Sequence, residues 1–524
     1  MLPTLLVPAL LASSAFAATA EQWQNRTIYQ LVTDRFAVEG DSGPSCDTSK
    51  KTYCGGTWKG IISKLDYIQG MGFDAVWISP VTKNVEGETS QGYAYHGYWP
   101  TSLYDLNSNY GSADDLKSLS SALHERGMYL MLDVVVNHMV ATTNPPDFSK
   151  FAPFASQSQF HPECWISNYA NQTDVEQCWL GDSGLPLADL NTEDDSIVST
   201  MNDWVKGLVG NYSADGIRID TVKHVRKDFW PNFASSAGVF AMGEVLSNET
   251  DYVSPYTQVL DGVLDYPMWF PLVAAFQTSF GNLSLLAQTF TTSQSSYKNA
   301  QFHSGSFLEN QDQPRFQSLA TDQSLVKNAM AWPFIQDGIP ILYYGQEQSY
   351  AGGSDPSNRE ALWLSSYFTD KPLVTHVKAL NGARKAAIAA NGNFLSTKTQ
   401  ILSSTTDSMA VSKAPLLSCS PTRATAPPAN EVLVDVLSCN TVTADSKGAI
   451  SASNSNGEPM VFVPASALTK GGALCGSVAT GSTTSTQGGK TSGARPTAGS
   501  DGAFAWAVIA ALFVIASGSS LVVG

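Results

Sequence analysis

Basic residues are scarce in this 524-residue chain: 30 Lys and Arg stand against 46 Asp and Glu, leaving a formal net charge of −16. Nothing gathers the cations into a stripe that could neutralise phosphates, which argues against a nucleic-acid partner; a neutral substrate would be indifferent to the charge. No internal repeat of fixed period appears, which argues against a solenoid or a propeller. A shortage of apolar residues is not among the absences. At 43% hydrophobic content the chain can fill a core, and its length suits one large α/β barrel plus a smaller domain.

The two ends lack basic residues where they would be informative. Residues 1–17 have no basic n-region, yet the apolar run Leu5, Leu6, Val7, Ala9, Leu10, Leu11 followed by Ala15-Phe16-Ala17 fits a cleaved signal peptide. No Lys or Arg follows the apolar stretch 503–524, as one would on the cytoplasmic side of a membrane span. Small residues (Ser492, Gly493, Ala494), a Ser/Thr/Gly-rich linker at 477–502 and that tail match a glycolipid-anchor signal instead. The expectation is a secreted protein at the cell surface, GPI-anchored to plasma membrane or wall, touching membrane only through the anchor and acting as a monomer. Five Asn-x-Ser/Thr triplets, at Asn25, Asn171, Asn211, Asn248 and Asn282, are potential glycan acceptors. Only seven cysteines are present, and in an exported chain they suggest disulfides. Local spacing favours Cys46 with Cys54 and Cys164 with Cys178. Of Cys419, Cys439 and Cys475 one is left over; the expected pair is Cys439 with Cys475, and the state of Cys419 stays open.

Short β-rich runs recur at 27–32, 75–79, 129–136, 216–219, 239–243, 262–265, 304–308 and 338–344, with helical patterns between them. Between the first two, Ile61, Leu65 and Ile68 repeat at helical spacing. Between the second and third, Ser112-x-x-Asp115 caps a helix carrying Leu116, Leu119 and Leu123 and closed by Gly127. Eight alternations predict an α/β fold, a (β/α)8 TIM barrel formed by 18–137 and 190–396. The long gap after strand 3, rich in Pro and Asn, reads as an inserted subdomain at 138–189. Short alternating stretches over 397–476 suit a C-terminal antiparallel β-domain.

In a parallel barrel the strand C-termini open on one face, so acids just after different strands converge. Asp220 follows the fourth strand, Glu244 the fifth and Asp312 the seventh. One such acid alone is more often a helix cap or an ion-pair partner. Three in register shift the balance. The stretches DVVVNH (133–138), GIRIDTVKH (216–224), GEVL (243–246) and FLENQD (307–312) resemble the four signature segments of the α-amylase family. YCGGTW (53–58), AYHGYW (94–99), YGQEQ (344–348), SDPSNRE (354–360) and DVLSCNTVTADS (435–446) extend the likeness to secreted fungal α-amylases over about 22–476.

That resemblance implies a retaining glycosidase acting on α-1,4-glucan in starch- or glycogen-like polymers and oligosaccharides. Asp220 would be the nucleophile and Glu244 the general acid/base, Glu244 held protonated by its surroundings and Asp220 helped to stay ionised by Arg218. Asp312 would bind sugar hydroxyls and favour the distorted ring. Substrate contacts are implied for Tyr98, Trp99, His96, His138, Arg218, Lys223, His224, Gln311, Asp355 and Arg359, although Tyr95, Tyr98 and Trp99 also have a bland reading as core aromatics. A Ca2+ ion is implied at Asn137 and Asp189 and at the carbonyls of Glu176 and His224, where oxygen donors suit a hard cation. The family pattern has His where this chain has Gln311. Glutamine cannot carry charge, and a lost charge-assisted hydrogen bond costs roughly 1–3 kcal/mol at some step. With the tail, this resembles glycolipid-anchored amylase homologues, some of them 4-α-glucanotransferases in wall α-glucan assembly. Hydrolysis is therefore the first expectation, transglycosylation the second, and a non-catalytic glucan-binding wall protein a remote third.

Overall fold

Eight short strands, buried on both faces, run parallel to one another: β1 (Ile28–Leu31), β2 (Ala75–Ile78), β3 (Tyr129–Val134), β4 (Gly216–Ile219), β5 (Phe240–Gly243), β6 (Gly262–Val263), β7 (Gly305–Ser306) and β8 (Ile339–Tyr343). They come from a computed structural model that describes residues 18–40, 42–413, 429–453, 456–471, 474–475, 509–514 and 520–523. The expected signal peptide, the 477–502 linker and Cys419 lie outside the described residues. Hydrogen bonding runs β6-β5-β4-β3-β2-β1-β8-β7, and a parallel bridge between Leu264 and Gly305 joins the two ends. The sheet thus closes on itself, which leaves no parallel edge to protect.

The helices between these strands follow from local sequence. Ser112 caps Ala113–Glu125 by accepting from the Asp115 amide while Asp115 reaches back to the Ser112 amide. Leu116, Leu119 and Leu123 are fully buried against the barrel, and Gly127, at φ 68°, takes the left-handed turn that ends the helix.

After β3 the chain leaves the barrel and makes a small antiparallel sheet of His138–Val140, Leu180–Asp182 and Leu185–Asp189, clipped by the Cys164–Cys178 disulfide. The pairs Cys46–Cys54 and Cys439–Cys475 are also formed. Beyond the barrel, β9 (Gln400–Ser404), β10 (Ser408–Lys413), β11 (Val432–Asp435), β12 (Thr441–Thr443), β13 (Met460–Pro464) and β14 (Ile509–Val514) form an antiparallel sheet in the order β9-β10-β14-β13-β11-β12. One strand of this sheet therefore comes from the apolar tail. Asp337, just before β8, docks the sheet on the barrel: its buried carboxylate accepts from Lys413 Nζ at 2.7 Å and from the Thr399 amide and hydroxyl at 2.9 Å. Among the described residues no helix is long and apolar enough to cross a membrane.

Candidate active site

Strand periodicity sets the site. Along Gly216-Ile217-Arg218-Ile219-Asp220 successive side chains alternate, so Arg218 and Asp220 share one face, directed into the barrel mouth. The Asp220 amide donates to Val134 O at 3.0 Å, and the Glu244 amide to Ile219 O at 2.9 Å, continuing the β3–β4 and β4–β5 ladders by one residue and aligning both carboxylates.

Arg218, 1% exposed, holds the acids together. Its Nη1 lies 2.8 Å from Asp133 Oδ1 and 2.8 Å from Asp220 Oδ1, and its Nη2 lies 2.9 Å from Glu244 Oε2. Glu244 also accepts from the Thr221 amide at 3.0 Å. Three carboxyls crowd one guanidinium. Arg218 pulls the Asp220 carboxyl down, but burial first, then Glu244 and Asp133, outweigh it and push that carboxyl well above the ordinary aspartate range. The site therefore retains a proton more readily than an exposed pair would, and that proton belongs to the coupled cluster.

Asp312 stands at the lip, its side chain 38% exposed, 3.5 Å from Arg359 Nη2. Desolvation and then Glu244 push its carboxyl up to about 6, while Arg359 opposes. Arg359 also reaches Asp355 at 3.1 Å and donates through Nε to Gln311 O at 3.0 Å.

The remaining expected residues divide between two places. Tyr98 donates to Asp133 Oδ2 at 2.8 Å; His96 stacks on it at 5.7 Å between centroids, and His138 lies with Nε2 3.1 Å from Tyr98 O. Burial brings His138 down to about 4, so it is neutral and donates through Nε2 to that carbonyl. Trp99, edge-on to His96, opens with Asp355 and Arg359 onto a side cavity of about 300 Å³. On the opposite side Lys223 Nζ donates to Leu246 O at 3.0 Å, and His224 donates through Nδ1 to Val175 O at 3.0 Å. Gln311 is placed differently from expectation. It is 2% exposed, and both ends of its amide are committed to protein: Nε2 donates to Tyr98 OH at 2.8 Å and Oε1 accepts from Gln30 Nε2.

Several participants were missed from sequence. Asp133, a carboxylate inside the apolar run LMLDVVV, was a signal in itself, because such a group is buried only with strong partners. Tyr169, 60% exposed with its ring centroid 5.2 Å from Lys223 Nζ, and Leu246, 38% exposed with its carbonyl accepting from that Nζ, are exposed apolar groups that no strand pattern announces.

The expected calcium donors can be tested on their unused atoms. Asn137 Oδ1 and Asp189 Oδ1 are both buried without a hydrogen-bond partner, while Asp189 Oδ2 is held by His161 Nδ1 at 2.6 Å. Glu176 lies in the last turn of Gln172–Gln177, where carbonyls lack intrahelical donors. Two buried oxygens without a donor suit a hard cation, so Asn137 and Asp189 fit. Among the described residues no group of three or more His, Cys, Asp or Glu side chains is placed to hold a metal, so any ion here would depend on those carbonyls.

A closed (β/α)8 barrel with acids from neighbouring strand ends gathered on one guanidinium is the arrangement of a barrel glycoside hydrolase. Comparisons narrow this. Residues 30–385 match the family model for the α-amylase catalytic domain, and residues 422–483 that for α-amylase domain C. The chain is 43% identical over 460 residues to an α-amylase of Saccharomycopsis fibuligera, covering 85% of this chain and 92% of that one. It is 50% identical over 387 residues to α-amylase 1 of Lipomyces kononenkoae, covering 73% of this chain but 62% of that longer one. The solved structure of an α-amylase from Malbranchea cinnamomea superposes with a TM-score of 0.83 at 43% identity, over 87% of this chain and all of that one. The chain belongs to the α-amylase family.

Proposed function

We propose that this protein cleaves α-1,4-glucosidic bonds in starch- and glycogen-like glucans with retention of configuration. The observation that carries the reading is the single guanidinium of Arg218 gripping carboxyls from the mouths of β3, β4 and β5. Asp220 attacks the anomeric carbon. Glu244 gives its proton to the departing glycosidic oxygen, then takes one from the incoming water, which releases the sugar from Asp220. Asp312 and Arg359 bind sugar hydroxyls at the lip, Tyr98 offers a ring face, and Trp99, Asp355 and the side cavity extend the cleft along the glucan. Tyr169, Lys223 and Leu246 receive the leaving chain. A bound Ca2+ would be held by Asn137, Asp189 and the carbonyls of Glu176 and His224, supplying charge that fastens the insertion to the barrel. The test is release of reducing ends from soluble starch, expected for the wild type and lost in Asp220→Asn; a folded wild type without release overturns the assignment.

A second reading is favoured by the neutral, fully engaged Gln311: with water less strongly assisted, another glucan hydroxyl resolves the glycosyl-enzyme and the outcome is 4-α-glucan transfer. Products longer than a maltoheptaose substrate would establish it, and only shorter ones would remove it. Equal glucan binding by wild type and Asp220→Asn, with turnover in neither, would point to a binding protein. The three disulfides suit an exported chain, and the 503–524 tail suits surface attachment through a glycolipid; release from intact cells by a phosphatidylinositol-specific phospholipase tests the latter.

A further inference from the structure

We infer that Gln30, on β1 and outside the substrate cleft, is a positioning residue that fixes the direction of the hydrogen-bond chain running through Gln311 and Tyr98 to Asp133. Gln30 is 3% exposed and Gln311 2% exposed, so neither amide can exchange its partner for bulk water. Gln30 Nε2 donates to Gln311 Oε1, which leaves Gln311 only its Nε2 to present to the Tyr98 hydroxyl, at 2.8 Å. An amide nitrogen donates and never accepts. The single Tyr98 proton is thereby directed to Asp133 Oδ2, also 2.8 Å away. Asp133 receives two further donors whose polarity cannot be reversed, Trp77 Nε1 at 3.0 Å and Arg218 Nη1 at 2.8 Å. Gln30 Oε1, by contrast, is buried without a partner, so the Gln30 side chain is anchored in this chain by its donor end alone.

The consequence reaches the catalytic pair. Asp133 and Asp220 share Arg218, and the carboxyls facing them are Glu244 and Asp312, with Arg359 on Asp312, His96 stacked on the Tyr98 ring and His138 hydrogen-bonded to the Tyr98 carbonyl. With its three donors Asp133 stays an anion and claims part of the guanidinium. If Gln311 turned its oxygen to Tyr98, the phenol would donate there, and Asp133, already pushed upward by burial, would take a proton. Asp220 would then lose a negative neighbour and ionise at lower pH.

This rests on Asp220 and Glu244 being the reacting pair, so the test begins from measurable wild-type turnover of a chromogenic maltooligosaccharide; no turnover would overturn that assignment and this inference with it. Gln30→Met removes the donor and keeps the volume. The expected result is a kcat roughly tenfold lower with KM within about threefold, and an acid limb of kcat/KM shifted down by about half a pH unit or more. In a Gln311→Met background Tyr98 has no competing amide, and Gln30→Met is expected to shift nothing further. An acid limb unmoved in a folded, active Gln30→Met, or moved equally in both backgrounds, would overturn the inference. Should Gln30→Met fail to fold, Gln30→Asn keeps a buried amide one methylene short of Gln311, and the same shift, or its absence, decides.

Discussion

Asp220 and Arg218 sit two residues apart on one strand face, and their pairing sets how the site responds to pH. The nucleophile must be ionised, and its carboxyl is held above the ordinary range by burial and by Glu244 and Asp133. Activity is therefore full above the pKa of the cluster and lost as pH falls through it. We predict that the acid limb of kcat/KM lies above pH 3.8, the value of an unperturbed aspartate; a limb at or below that value would show Arg218 to dominate. The acids themselves were legible as residues following three barrel strands. The role of Asp133 and the engaged amide of Gln311 were not, because each depends on which side chains the closed barrel brings across its axis from β1, β2 and β4. Such contacts join residues as far apart as Gln30 and Gln311 and leave no local pattern.

At the scale of elements, the eight strands and the capped helix at Ala113–Glu125 were readable because their signals are local: apolar runs for the strands, Ser112 with Asp115 for the cap. The docking of β10 on the barrel was not. Lys413 and Asp337, both 2% exposed, form a buried pair 76 residues apart. Lys413→Met strands the Asp337 carboxylate, and denaturant unfolding is expected to show a loss of about 3–5 kcal/mol. Placement of Ile509–Val514 between β10 and β13 was equally hidden, since an apolar run of that length suits a strand as readily as an anchor signal. Exchange of 503–524 for a glycolipid would withdraw that strand and no residue of the site, so a chain ending at 502 is expected to keep kcat within about twofold; a large loss of kcat would tie the tail to catalysis.

For the molecule as a whole, the barrel fixes the acids and the insertion builds one wall of the cleft, so whatever joins insertion to barrel governs both shape and stability. Asn137 and Asp189 meet at that join with two unpaired buried oxygens. Millimolar calcium is expected to raise the melting temperature of metal-stripped protein by several degrees, and Asp189→Asn to abolish most of the rise; an unchanged melting curve would remove the ion from the account. The central claim is that Asp220 becomes covalently linked to sugar while Glu244 moves the proton. Its most direct measurement is mass spectrometry of peptides from enzyme treated with a 5-fluoro-α-glucosyl fluoride, whose glycosyl-enzyme turns over slowly. The account predicts a single adduct on the peptide containing Asp220, absent in Asp220→Asn, and an adduct on another residue, or none from active enzyme, would contradict it.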